Sequence, residues 1–382
     1  MKRNSFLGGV TEELISYDWP IAGLGTQQIG FGICKSTGLV MQTSTVAEEK
    51  MLDWYSQTAT YVNPNHDGKP MPQKVRDLDR LLQVVHLTTN THPDSVIQFG
   101  SSDGYTLSRF SDAGSSRVLG VEPGQKAREY ALKTYGVVCQ SGTVDDYQVD
   151  DRFELIVLTH ILEHLYNPLD FLLRVQKNIT DGGALLIEVP LWERLDKQGK
   201  GVLTFEHVNY FSEDALFWML RDAGFEPIFS SKLFQSGWYP VITVVAKASG
   251  VEYETRNSYR DSRALLEAFL RREKKFWRWA EKKILSKLNQ HSGSYIYGAG
   301  IHTSQMLSNT SLRANVDLSG VIDSSPTKWG KEIADLKVQQ PAVLDQLPSN
   351  TNIIISSAAS EAYIVEAIMK RRSDLTLITL YQ

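Results

Sequence analysis

An adjacent acid and imidazole, Glu206 and His207, stand in a run that also holds Phe205, Tyr210 and Phe211. Such a pair can take a proton from a substrate carbon or hydroxyl, because histidine titrates near neutral pH. A purely structural role competes with this one. Ser212, followed by Glu213 and Asp214, reads as a helix N-cap against which His207 would simply pack. A second pattern lies upstream, where Val96-Ile97-Gln98-Phe99 runs straight into Gly100-Ser101-Ser102-Asp103-Gly104. Glycine at the end of an apolar strand allows a sharp turn and the close approach of a ligand, and the helix that follows offers unsatisfied N–H donors. About twenty residues on, Val118-Leu119-Gly120-Val121-Glu122-Pro123 ends a second strand in a carboxylate, which can accept hydrogen bonds from both hydroxyls of a ribose. The strand 153–159 then leads into His160-Ile161-Leu162-Glu163-His164-Leu165, and Gly182-Gly183 opens a further strand over 184–189. Any one of these is weak alone; the three in this order point to a nucleoside-binding α/β unit.

The elements that must hold these residues divide the chain into four segments. The chain has 382 residues, more than one core usually supports, so several domains are expected. Residues 1–92 form an N-terminal lobe with short strands near 28–33 and 39–42 and a helix over 73–87, whose Val75, Leu78, Leu81, Leu82 and Val85 share one face. Residues 93–250 alternate Val/Ile/Leu-rich strands with helical periods, the pattern of a mostly parallel sheet covered on both faces. Residues 251–291 read as a connecting helix, with Leu266, Leu270, Trp277, Ala280, Ile284 and Leu288 on one side. Eleven basic and six acidic residues in that segment make its other face a solvated basic surface, with docking of an acidic partner as the alternative. Residues 292–382 alternate again, as a small α/β domain opened by Tyr297-Gly298-Ala299-Gly300, with Ile322-Asp323 after its second strand.

Composition sets outer limits. A net charge of -4 gives no basic excess for nucleic acid or for an anionic membrane surface. No apolar run reaches the length of about 20 residues that a bilayer requires, and the opening residues lack a signal-peptide pattern, so a cytoplasmic protein is expected. Cys34 and Cys139, far apart and outside any CxxC pattern, build neither a disulfide framework nor a zinc site, and Cys139 is expected as a small buried apolar residue.

The G-S-S-D-G loop, G-V-E-P, the run from Leu158 to Leu172 and D-G-G-A-L-L-I-E-V-P resemble the successive motifs of class I S-adenosylmethionine-dependent methyltransferases over about residues 95–248. The resemblance implies a Rossmann-like central sheet with S-adenosylmethionine as cofactor. Gly100, Ser101, Asp103 and Gly104 would lie against its methionine part and Glu122 with Pro123 at its ribose. Thr143 or Asp145 would lie near the adenine, and His160 at the cofactor or the substrate. The absence of a third loop glycine separates the chain from NAD enzymes.

Glu206-His207-x-x-Tyr210-Phe211-Ser212 and the C-terminal Y-G-A-G opening resemble a narrower group, the sugar C-methyltransferases of nucleotide-linked keto sugars. This implies an enolate formed with His207 or Glu206 as base and His164 sharing the proton work. Tyr61 and Tyr210 would stand at the substrate, and the C-terminal domain would be a Rossmann relic enclosing it. The chain departs from the group in two places. Thr204-Phe205 replaces its usual Tyr-His, and Thr37 replaces the second cysteine of its zinc segment at Cys34-Lys35-Ser36-Thr37-Gly38. A single thiolate cannot sustain a tetrahedral zinc, so no metal is expected and the lobe should be held by packing. The alternatives are O-methylation of a sugar or natural-product hydroxyl and a non-catalytic cofactor-binding protein. A small-molecule partner and a monomer or homodimer complete the expectation.

Overall fold

The computed structural model describes residues 1–58, 72–194, 202–235, 239–289, 292–358 and 360–382. The N-terminal lobe carries β1 (Thr11–Ile21), β2 (Gly25–Cys34), β3 (Val40–Ser44) and α1 (Glu48–Thr58). β1, β2 and β3 form an antiparallel sheet closed by β9 (Asn209–Tyr210), a piece of chain from the central unit. Its turn at Cys34–Gly38 is held by hydrogen bonds. The Cys34 thiol lies 3.2 Å from the Gly8 carbonyl and 3.1 Å from the Ser36 hydroxyl, and the Gly38 N–H donates to the Cys34 carbonyl at 2.9 Å. Gly38 has φ +83°, and a Cβ there would stand 2.6 Å from the backbone of Ser258, so only glycine lets the turn seat against that segment.

The central unit runs α2 (Pro72–Thr89), β4 (Ser95–Phe99), α3 (Tyr105–Asp112), β5 (Arg117–Val121), α4 (Gln125–Tyr135), β6 (Cys139–Gln140), β7 (Phe153–Thr159), α5 (Pro168–Val175), β8 (Ile179–Pro190), β9, α6 (Glu213–Asp222), β10 (Phe225–Gln235) and β11 (Tyr239–Ala248). Its seven-stranded sheet has the order β10-β11-β8-β7-β4-β5-β6, with β11 antiparallel to its two neighbours and the other adjacent pairs parallel. This is the expected doubly wound, Rossmann-like α/β sheet. Both faces are covered: Leu78, Leu81 and Val85 of α2 pack with Leu107 and Phe110 on one side, Phe171, Leu172 and Val175 of α5 on the other. The helix expected over 73–87 thus belongs to the central sheet, and this unit begins before residue 93.

From β4 the chain winds outward to β5 and β6, then returns to the other side as β7. That reversal opens a crevice beyond the carboxyl ends of β4 and β7, where sheets of this kind bind ligands. At the other edge Cys139 is half-buried rather than buried, because β6 is the last strand of the sheet.

α7 (Tyr259–Lys287) links this unit to the C-terminal domain of β12 (Ser294–Tyr297), α8 (Ile301–Asn309), α9 (Leu312–Asn315), β13 (Leu318–Ile322), β14 (Glu332–Ile333), β15 (Leu336–Gln339), β16 (Asn352–Ile355), α10 (Glu361–Arg371) and β17 (Thr376–Ile378). Its sheet order is β14-β15-β13-β12-β16-β17, parallel except for β14. Leu266 and Phe269 of α7 pack into the core of the N-terminal lobe, and Phe276, Trp277, Ala280 and Ile284 into that of the C-terminal domain. Among the described residues no helix is long and apolar enough to cross a membrane.

Candidate active site

Gly100 and Gly104 take φ of +64° and +76°, and Ser102 between them +49°. The loop after β4 therefore folds back on itself. The Gly100 N–H donates to the Val121 carbonyl at 2.8 Å, the Ser102 N–H to Glu122 Oε2 at 3.0 Å, and the Gly124 N–H to Glu122 Oε1 at 2.8 Å. Each Glu122 oxygen keeps a lone pair for a ligand hydroxyl. Burial raises the Glu122 carboxyl above its ordinary value, against the pull of those two N–H groups and of Arg128. Asp103 accepts the Tyr105 N–H at 3.2 Å and starts α3. Ser101 is buried with its hydroxyl 3.3 Å from Cys139 Sγ, so it offers a ligand its backbone and not its side chain. This cradle of bare backbone with one carboxylate at the end of β5 fits an adenosyl ligand, with Pro123 beside it.

The loop after β6 differs from expectation in one respect. Thr143 bonds Asp146, while the Asp145 carboxylate is drawn 3.0 Å from Arg174 of α5. Asp145 is thus engaged by a cation at the surface, and Thr143 with its neighbouring backbone is left as the adenine-side candidate.

His160 sits at the end of β7 with φ +55°, its Nδ1 3.4 Å from Glu163 Oε1 and its Nε2 3.8 Å from Glu188 Oε1. Burial opposes the charged ring, but these carboxylates outweigh it and raise the His160 pKa. Glu188 also takes Arg80 of α2 and Thr243 of β11, each at 2.5 Å.

Residues 203–210 form a loop clamped from several sides. Gln42 of β3 donates to the carbonyls of Thr204 and His207, Arg3 to that of Val208, and Gln305 of α8 to that of Leu203. Asn209 ties the loop to the carbonyls of Leu162 and Leu165. His207 and His164 meet edge to face with ring centres 4.8 Å apart. His164 Nδ1 lies 3.1 Å from both the Glu206 carbonyl and the Tyr55 hydroxyl. Burial, reinforced by His164, lowers the His207 pKa to about 3, so this ring is neutral. Burial raises the Glu206 carboxyl, with His164 and Lys328 acting against it. Burial alone would raise Glu163 as well, but a long hydrogen bond from His160 and the charges of His164 and His160 hold it at about 2.

Beyond the loop lies a cavity of about 220 Å³ lined by Trp54, Phe205, Glu206, Gly300, Lys328 and Lys331 among others. It opens where α1, the loop and the C-terminal domain meet. In that domain Asp323 is occupied: it accepts the Ala299 N–H at 2.7 Å and pairs with Lys328 at 3.1 Å.

The structure brings together His164, Glu206 and His207 at one point, and Gly100, Gly104, Glu122 and His160 at the strand ends. Tyr210, expected at the substrate, is a correction. It is buried against Phe31 and Trp192, and its hydroxyl bonds both the N–H and the carbonyl of Thr204, so it braces the loop. Tyr61 lies outside the described residues. Tyr55, Glu163 and the lysines at 328 and 331 were not legible as site residues. Glu163 alone carried a signal, its place between two histidines. Ser212 does cap α6, accepting the Ala215 N–H at 3.1 Å.

A family model described as a methyltransferase domain matches residues 71–229. No curated protein matches the chain. Among solved structures, the chain is similar to the 1,6-didemethyltoxoflavin N1-methyltransferase of Burkholderia thailandensis, bound to 1,6-didemethyltoxoflavin and S-adenosylhomocysteine. The identity is 16%, with 55% of this chain and 96% of that one covered and a TM-score of 0.42. It is also similar to the N-methyltransferase NodS of Bradyrhizobium japonicum WM9 in complex with S-adenosylhomocysteine, at 12% identity, 51% and 97% coverage and a TM-score of 0.42. The matched residues span α2 to the start of β10, and within them the glycine loop, the acid after β5 and the switch-point crevice occur together. The central unit of this chain thus matches a methyltransferase domain over residues 71–229.

Proposed function

We propose that the protein methylates a sugar carried on an anionic, nucleotide-type group, at a carbon beside a ketone. The observation that carries this reading is the cavity between Glu206 and the C-terminal domain. Its aromatic wall, where Trp54 and Phe205 meet edge to face at 5.2 Å, suits the apolar face of a sugar ring. Its far side presents Lys328, Lys331 and Gly300 at the N-terminus of α8, which suits phosphate oxygens.

When bound, the cofactor supplies an activated methyl group on a sulfonium. The residues of this chain supply position and proton transfer. Glu122 and the backbone of 100–104 would hold the nucleoside end. The ketone acidifies the neighbouring C–H, and Glu206, which faces the cavity, accepts that proton. His164 Nδ1, 3.1 Å from the Glu206 carbonyl, steadies its backbone and meets the His207 ring edge to face. Thr143, Pro123 and His160 keep their places around the cofactor as part of the same proposal, while Asp145 is held by Arg174.

The test is transfer of labelled methyl from S-adenosylmethionine to a nucleotide-linked 4-keto sugar, with carbon NMR of the product. A C–CH3 signal is expected, and His207→Asn should reduce turnover at least about a hundredfold. An O–CH3 product would move the assignment to sugar O-methylation, and unchanged activity in the variant would remove His207 from the mechanism.

A further inference from the structure

Behind Glu206 three side chains converge that base catalysis does not account for. Glu163, His164 and His207 each present a ligand atom, and these atoms lie within 4.8 Å of one another. Glu163 is 2% exposed, and neither of its carboxylate oxygens has a well-formed hydrogen bond among the described residues. His160 Nδ1 at 3.4 Å and His164 Nε2 at 4.0 Å compensate the charge from one oxygen only, at distances longer than a good hydrogen bond, and a metal ion is the other usual partner of a buried carboxylate.

The tautomer of His164 points the same way. A backbone carbonyl can only accept, so the Glu206 oxygen 3.1 Å from Nδ1 favours the tautomer with its proton on that nitrogen, where the Tyr55 hydroxyl at 3.1 Å can accept as well. Nε2 is then left with its lone pair on the side of Glu163. An imidazole whose outer N–H is held by a backbone carbonyl is the usual state of a metal-bound histidine. The Glu163 carbonyl accepts the N–H groups of Val208 and Asn209 at 2.8 and 3.1 Å, so the acid and His207 are locked in register by the backbone.

We propose that Glu163, His164 and His207 bind one divalent first-row transition cation. One carboxylate and two imidazoles are a donor set for zinc, cobalt, manganese or iron rather than for magnesium or calcium, and they leave coordination positions open. Ligand atoms around a tetrahedral zinc stand about 3.3 Å apart, so the three side chains draw inward when the ion binds. Glu206, the residue before His207, lines the cavity, so the ion would lie close behind the wall of the proposed substrate site. From there a cation with open positions could act as a Lewis acid on the substrate ketone or hydroxyl. This role rests on the function proposed above; the binding itself does not.

The full-length protein, stripped with EDTA, is titrated with Co2+ followed by visible absorbance and with Zn2+ followed by calorimetry. One equivalent per chain is expected, with a Co2+ ligand-field band. Glu163→Gln and His207→Gln should each weaken binding more than about 100-fold, while circular dichroism and S-adenosylhomocysteine binding stay as in the parent. His164→Gln provides a third variant should either fail to fold, and exposed His86→Gln should bind as the parent does. No bound equivalent of either ion, or parent-like binding by folded Glu163→Gln and His207→Gln, would overturn the site. Cation binding with methyl transfer insensitive to EDTA would overturn the Lewis-acid role. A protein that binds the ion but methylates no sugar would leave the site standing and remove the substrate assignment.

Discussion

The hydroxyl of Tyr55 stands 3.1 Å from Nδ1 of His164, so α1 of the N-terminal lobe reaches into the loop of the central unit that follows β7. Two residues 109 positions apart share one hydrogen bond at the site. Tyr55→Phe removes the hydroxyl and leaves the ring contact. A hydrogen bond of net worth about 0.5–1.5 kcal/mol predicts a fall in kcat of about 2- to 13-fold. S-adenosylhomocysteine affinity by calorimetry should not change, and a loss of that affinity would place Tyr55 at the cofactor instead.

Glu122 is the group on which cofactor affinity should depend most. Replacing it by Gln removes charge-assisted hydrogen bonds of about 1.5–3 kcal/mol, a rise in Kd of about 10- to 150-fold. The pH dependence follows from its raised carboxyl. The ionised form is the better acceptor, so affinity is full at high pH and falls as the solution is acidified through the raised pKa. That fall begins above the range of an ordinary glutamate. Calorimetry across pH should show it in the parent and not in Glu122→Gln.

Lys331 lines the cavity without the Asp323 pairing that holds Lys328. Lys331→Ala should raise KM for a nucleotide-linked sugar about tenfold at low salt while kcat changes little. Because a screened charge contributes less, the difference from the parent should shrink as ionic strength rises. A KM indifferent to both substitution and salt would argue against an anionic substrate.

Arg80 of α2 and Glu188 of β8 tie helix to sheet, with Glu188 1% exposed. Arg80→Met takes the guanidinium from a buried carboxylate and should destabilise the protein by about 3–5 kcal/mol, measured by urea denaturation. Adding Glu188→Gln should restore part of that loss, since no full charge then stays buried.

The cofactor half of the site was readable because parallel strands buried on both faces are nearly continuous apolar runs, and the turns that end them carry Gly100, Gly104 and Glu122. β1 was missed because TEELISYDWPI mixes charge with apolar residues along a strand that packs one face inward. β10 escaped because Pro227, Ser230 and Lys232 interrupt its pattern on the edge of the sheet. Tyr55, Lys328 and Lys331 become neighbours of Glu206 only through the packing of three units, which no local spacing records. Tyr210 misled for the opposite reason. Its place beside Glu206 and His207 suggested substrate, whereas its hydroxyl is spent on Thr204.

The 29 residues of α7 make a rod of roughly 44 Å. Near its start Arg263 grips Glu12 of β1, and Phe269 is lodged in the first lobe; farther along, Trp277 and Ile284 are lodged in the last domain. A strut clamped at both ends does not stretch. Because α7 holds both partners, a crosslink between α8 and β1, where Ser304 already bonds the Pro20 carbonyl, should leave the nucleoside crevice accessible to S-adenosylhomocysteine.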